Sequence, residues 1–423
     1  MSNAANAERR AGLSALSAVL SDPRYRALFF ASFAGLAASW MQRIALGWLM
    51  WEHTQSAAWL GALAIMELAP GLVLGPTGGV LADRMDRRRL VILSQATLFL
   101  QAAAAAVIVA AGAVTPAVLL VLAAVSGSAS AVQEAARSLL TRDVTPRDYL
   151  PTGMSMVAIS VNVTRFLGPA LAGPMIAYAS TAAVFAFAAA VSIGLIVVVA
   201  RLRMPEVQTK ADKGGFFGDL WRGAIAAGTH PTITPVLAVF AATAILIRPL
   251  YELMPAFAGR LYQGGVQDYS RLVMAVGVGA VVGAVLVTLN APRRPTRMFM
   301  VASLGACAAF AGFAGSQGLV SGMLAAGVLG FFMCTGATAS QLVVIFDARE
   351  ETSGRVLSLW STIMRAGPAL GALGMGAALD WLGFRWPLVI AATLCAGFVV
   401  LVVSGGRRRG GAPGSEQPAG NET

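Results

Sequence analysis

The sequence predicts an all-α membrane protein of 12 transmembrane helices in two six-helix bundles. Three observations carry that prediction. The chain is 57% hydrophobic and only 12% charged, roughly half the charged fraction of a soluble domain, so its surplus apolar surface needs lipid as solvent. The apolar residues come in runs of about 20, the length that crosses ~30 Å of hydrocarbon. The basic residues between the runs alternate strongly between two sides.

The elements follow in order. Residues 1–26 read as a cytoplasmic tail, since the serine-broken apolar stretch before Asp22 offers no cleavable signal core. Helices are expected at 27–50, 58–82, 90–111, 117–137, 153–177 and 182–200, forming a first bundle over 27–200. A linker, 201–232, places Phe216, Phe217, Leu220, Trp221, Ala224 and Ile225 on one face, as in a helix lying on the membrane surface. A second bundle, 233–404, holds helices at 233–256, 270–290, 298–314, 319–343, 355–378 and 385–404, and a cytoplasmic tail, 405–423, ends the chain. With the N-terminus inside, 24 of the 31 Lys and Arg fall on the cytoplasmic side, 3 on the other, and 4 inside spans. That asymmetry sets a multi-pass inner-membrane topology with both termini cytoplasmic.

Other classes lack their signatures. The net charge of +11 is split into short clusters between apolar runs, with no aromatic platform, which excludes a nucleic-acid partner. Cys307, Cys334 and Cys395 lie in separate apolar runs, and His53 and His230 stand alone, so no metal or disulfide framework is expected. No Walker A run, Gly-x-Ser-x-Gly or His-Glu-x-x-His is present, so neither an enzyme nor a cofactor is expected. Gly-Pro-Ala-Leu occurs at Gly168 in helix five and again at Gly367 in helix eleven, an echo that fits a duplicated bundle.

Gly79-Val80-Leu81-Ala82-Asp83-Arg84-Met85-Asp86-Arg87-Arg88-Arg89, between helices two and three, resembles the loop motif Gly-x-Leu-x-Asp-Arg-x-Gly-Arg-Arg of the major facilitator superfamily. Asp86 replaces the usual second Gly, as in the transmembrane secretion effector and enterobactin-exporter-like branch. Trp40 to Trp48, Asn162 to Pro169, Gly354 to Ser358 and Met364 to Gly367 resemble that branch too. The resemblance implies the major facilitator fold and an inner gate built from Gly79, Asp83, Arg84, Arg87 and Arg88, with Arg137 as a partner at helix four. A plain positive-inside anchor is the competing reading of the same arginines. Gly168, Pro169, Gly173 and Pro174 resemble the helix-five motif of exporters, where small residues allow close packing and prolines kink the helix.

Charges within spans face the bundle interior or water and take partners. Glu67 lies roughly 14 Å into helix two at ~1.5 Å per residue. It is a proton-coupling candidate, or one half of a structural pair with Arg43 or Arg165, or a contact for a cationic solute. Gln42, Arg43, Glu67, Asn162, Arg165 and Arg365 form the expected substrate cavity, with Arg165 and Arg365 suiting an anionic or phenolic solute or the counter-charge to Glu67. Arg248 and Glu252, four apart in helix seven, are expected to pair at an outer gate.

The resulting expectation is a monomeric secondary transporter that exports a small amphiphilic or anionic molecule, a drug, siderophore or metabolite, in exchange for protons. Uptake or facilitated diffusion is the alternative within the class. A non-transporting sensor or scaffold is the alternative outside it, and it requires a central cavity free of charge.

Overall fold

The computed structural model describes residues 17–84, 86–202, 225, 228, 230–289, 294–348 and 350–410, with side chains except at 73–84, 135, 350–351 and 406–410. The expected surface helix in the linker, and the second-half loop from Asn290, therefore lie mostly or partly outside the described residues.

The helices are α1 (Pro23–Thr54), α2 (Ala57–Arg84), α3 (Arg87–Ala110), α4 (Pro116–Val144), α5 (Leu150–Tyr178) and α6 (Thr181–Arg201). After the linker come α7 (Ile233–Leu261), α8 (Val266–Leu289), α9 (Pro295–Ala314), α10 (Leu319–Asp347), α11 (Glu350–Leu382) and α12 (Trp386–Gly410). Nine of these, among the described residues, are long and apolar enough to span a bilayer. The other three, α1, α2 and α11, carry Arg43, Glu67 and Arg365. Large apolar side chains such as Leu100, Val107, Leu324 and Leu401 lie exposed on the helices, which lipid alone makes inexpensive.

Helix starts follow local chemistry. Asp22 accepts from the amides of Arg24 and Tyr25 at 2.7 and 3.3 Å, with Pro23 at the first helical position. Asp86, the residue that departs from the loop motif, caps α3 by accepting from the Arg88 amide at 2.9 Å. Thr115 and Ser180 cap α4 and α6 in the same way. The α7 helix is interrupted at residues 247–249, which end on Pro249, and closes with a π-turn at Phe257–Leu261. Proline supplies no amide and displaces its predecessor from helical geometry.

The packing repeats between halves. In the first, α2 packs on α4, α3 on α4 and α6, and α1 on α5 and α6. In the second, α8 packs on α10, α9 on α10 and α12, and α7 on α11 and α12. The halves meet along two matching seams, α2 against α11 and α5 against α8. Each element thus has a counterpart six helices later, the pattern of a duplicated bundle.

Candidate functional site

The centre of the site is Arg43 on α1. Its Nη1 donates to Glu67 Oε1 on α2 at 3.1 Å, and its Nη2 donates to both carboxylate oxygens of Glu252 on α7 at 2.8 Å. One guanidinium therefore holds two carboxylates, and the stronger, bifurcated contact crosses between the halves. Local sequence makes this approach possible. A Cβ on Gly127 of α4 would collide with the Glu67 carbonyl, so glycine alone lets α4 pass the α2 backbone there.

The expected pair of Arg248 with Glu252 does not form. The interruption at 247–249 breaks the register that would bring residues four apart onto one face. Glu252 turns to Arg43, while Arg248 donates to the Met333 carbonyl on α10 at 3.1 Å and lies 5.4 Å from the Phe240 ring. Of the two arginines considered as partners for Glu67, Arg43 is the one within ion-pair distance.

Arg165 on α5 lies instead 5.3 Å from the centre of the Trp40 ring, which Arg43 also approaches at 5.5 Å. Tyr251 meets the same indole edge to face at 6.3 Å. Its hydroxyl is buried without a hydrogen-bond partner among the described residues, as is Gln42 Oε1. Asn162 is exposed and donates to the Ala158 carbonyl of its own helix at 3.0 Å. Arg365 on α11 is neutralised: it makes a two-pronged contact with Glu134 of α4, at 2.9 and 2.7 Å. That pair links the halves while staying 57% and 51% exposed, so it faces open space.

Away from this centre, at the turns joining α1 to α2 and α11 to α12, the halves are in close contact. Asp380 of α11 accepts from Ser56 Oγ at 2.6 Å and from the amides of Ala57 and Ala58 at 2.9 and 3.0 Å. It thereby caps α2 from across the molecule. A Cβ on Gly61 would lie 2.5 Å from the Ala372 carbonyl, so α2 and α11 run backbone against backbone. On the second seam a Cβ on Gly173 would reach 2.5 Å from Ser270 Cβ, and Trp48 stacks on Tyr269 at 6.4 Å. Gly168 admits Trp40 within its own half. Pro169 and Pro174 stand inside an unbroken α5.

At Gly79, Asp83 and Arg84 the backbone alone is described, so the gate contacts expected of Asp83 and Arg84 are not among those described. Their neighbours form contacts within the first half: Arg87 pairs with Asp143 at 2.6 Å, and Arg88 donates to the Ala200 carbonyl. Arg137 sits one turn beyond Glu134 on α4.

Glu134, Tyr251 and Asp380 were not singled out from sequence, and Trp40 only as part of a family likeness. Glu134 had a signal, being a carboxylate inside an apolar run. Asp380 had none, because it falls just past the expected end of helix eleven and its partners are 322 to 324 residues away.

The chain matches the family described as transmembrane secretion effector over residues 14–407. It is 24% identical to the enterobactin exporter EntS of Salmonella typhimurium across 95% of this chain and 97% of that protein. It is 26% identical to the staphyloferrin A transporter of Staphylococcus aureus over 35% of this chain and 38% of that protein. The fold matches the nucleoside transporter NupG with a TM-score of 0.68 at 13% identity, covering 92% of this chain and 100% of that one. It matches a mutant of the peptide transporter POT in complex with sulfate with a TM-score of 0.69 at 16% identity, covering 91% and 94%.

Proposed function

Because the chain belongs to the transmembrane secretion effector family, we propose that it exports a small amphiphilic or anionic molecule, in exchange for protons, by alternating access. It is a multi-pass membrane transporter of the major facilitator type. The observation that carries the finer reading is Arg43 held between Glu67 and Glu252. A carboxylate that takes up a proton weakens its hold on the guanidinium. The Glu252 hold fastens one half to the other and Glu67 shares the same guanidinium, so proton uptake at either carboxylate bears on the contact between halves.

The basic-residue asymmetry orients the close end outward and the N-terminus inward. The described conformation is then closed outside and open to the cytoplasm, where Arg165, Asn162 and the Glu134–Arg365 pair are exposed. A relative named as an enterobactin exporter and the tight α5 seam support export. The charged centre favours transport over a sensor on the same fold.

The test uses the full chain in proteoliposomes and inside-out vesicles with an imposed pH gradient. Wild type should move solute in the direction opposite to the flow of protons. Glu67→Gln should lose the pH-driven component while retaining counterflow. A Glu67→Gln protein with full pH-driven transport overturns proton coupling, and counterflow running only inward overturns export.

A further inference from the structure

Resting on that transport reading, we propose that Arg165 and Arg248, with the Tyr251 hydroxyl, form the subsite that holds the solute, and that it takes a monovalent oxyanion such as the carboxylate of a small organic acid. The four intramembrane arginines divide into two kinds. Arg43 and Arg365 are matched by carboxylates. For Arg165 and Arg248, no carboxylate among the described residues lies within ion-pair distance. Arg165 has the Trp40 face, and Arg248 has the Met333 carbonyl and the Phe240 ring. A guanidinium carries five donors, so both retain unused ones.

The two come from opposite halves, and Arg165 lies within electrostatic range of both Arg248 and Tyr251. Arg165 and Tyr251 also share Trp40 as a neighbour. The Tyr251 hydroxyl is a buried donor without an acceptor, an arrangement proteins keep when a ligand completes it. Two guanidiniums, which only donate, and a hydroxyl, which can donate, make a donor-rich group, and an oxyanion is its complement.

Charge balance narrows the class. Arg43, Arg165 and Arg248 against Glu67 and Glu252 leave one positive charge when both carboxylates are ionised. One monoanion brings the centre to neutrality, the state of least cost for a group reorienting within a bilayer. An anion gripped by α5 on one side and α7 on the other also draws on both halves, so its binding is felt in the movement between them.

The test is binding without any gradient. Full-length protein in nanodiscs is melted and titrated with benzoate, salicylate and phenylacetate, and with the neutral amide of each. An acid from this panel should bind and raise the Tm, and its amide should not. Arg165→Gln and Arg248→Gln should each weaken the acid by about tenfold or more, and Tyr251→Phe by less. Arg271→Gln, at a surface arginine paired with Asp268, should leave affinity as in wild type. Arg165→Lys and Arg248→Lys, which keep the charge, report if a glutamine variant does not fold. The proposal is overturned if no acid binds, if amides bind as well as acids, or if acid affinity survives loss of both arginines. Should acids fail while a pH gradient still drives a cationic dye, the subsite falls and the transport reading stands.

Discussion

Asp380→Ala should loosen the end where the α1–α2 and α11–α12 turns meet, the outer end in the proposed orientation, by an amount that the structure lets one estimate. The carboxylate accepts three hydrogen bonds from the start of α2, at 2.6, 2.9 and 3.0 Å, and all three cross between halves. Losing an N-cap aspartate costs about 0.5–2 kcal/mol, and this includes its favourable charge at the positive helix end. Asp380 is exposed, which places the loss near the middle of that range, about 1 kcal/mol. Because the cap crosses between halves, under the proposed alternating access its cost falls on the equilibrium between the two access states. The expected shift is about fivefold toward the state open outside. Spin labels in the α1–α2 and α11–α12 turns, with Cys307, Cys334 and Cys395 replaced, would read it as a larger long-distance population in pulsed dipolar measurements. Asp380→Asn, which keeps one acceptor oxygen, should fall between. An unchanged distribution, or the same shift in Glu52→Ala at an exposed position nearby, would refute the reasoning.

Other perturbations test other contacts. Arg43→Gln leaves Glu67 and Glu252 without their shared cation and should lower the melting temperature strongly, with a cost toward the low end of ~3–5 kcal/mol because the pair is partly exposed; adding Glu67→Gln should restore part of it. Gly173→Leu should drive α5 from Ser270 and favour the outward-open state in the same distance measurement, whereas Gly194→Leu, with nothing within 4 Å, should not. A double-mutant cycle on Glu134 and Arg365 should return a coupling of less than ~1 kcal/mol, since both side chains are more than half exposed. Asp86→Ala should remove the α3 cap and cost about 1 kcal/mol in thermal stability, without altering solute affinity.

Several features were legible from composition and spacing. The spans follow from hydrocarbon thickness, which sets a length that any apolar run can be measured against. Mid-membrane charges announce themselves by their cost: Glu67 meets Arg43, Arg165 lies against Trp40, and Arg365 meets Glu134. Membership of the major facilitator class was carried by one loop, although at Gly79, Asp83 and Arg84 the backbone alone is described.

What the sequence by itself determined is thus the medium, the helix order and the inventory of interior charges. These depend on local runs and on the expense of burying charge, which every residue carries with it. Which charge meets which was decided only by tertiary structure. The break that ends on Pro249 sent Glu252 to Arg43, 209 residues distant, rather than to Arg248 four residues away. Glu134 claimed Arg365 across 231 residues, and Asp380 capped a helix from the opposite half. Such pairings depend on how helices rotate and how closely glycines let them approach, and neither is written in the spacing along one chain.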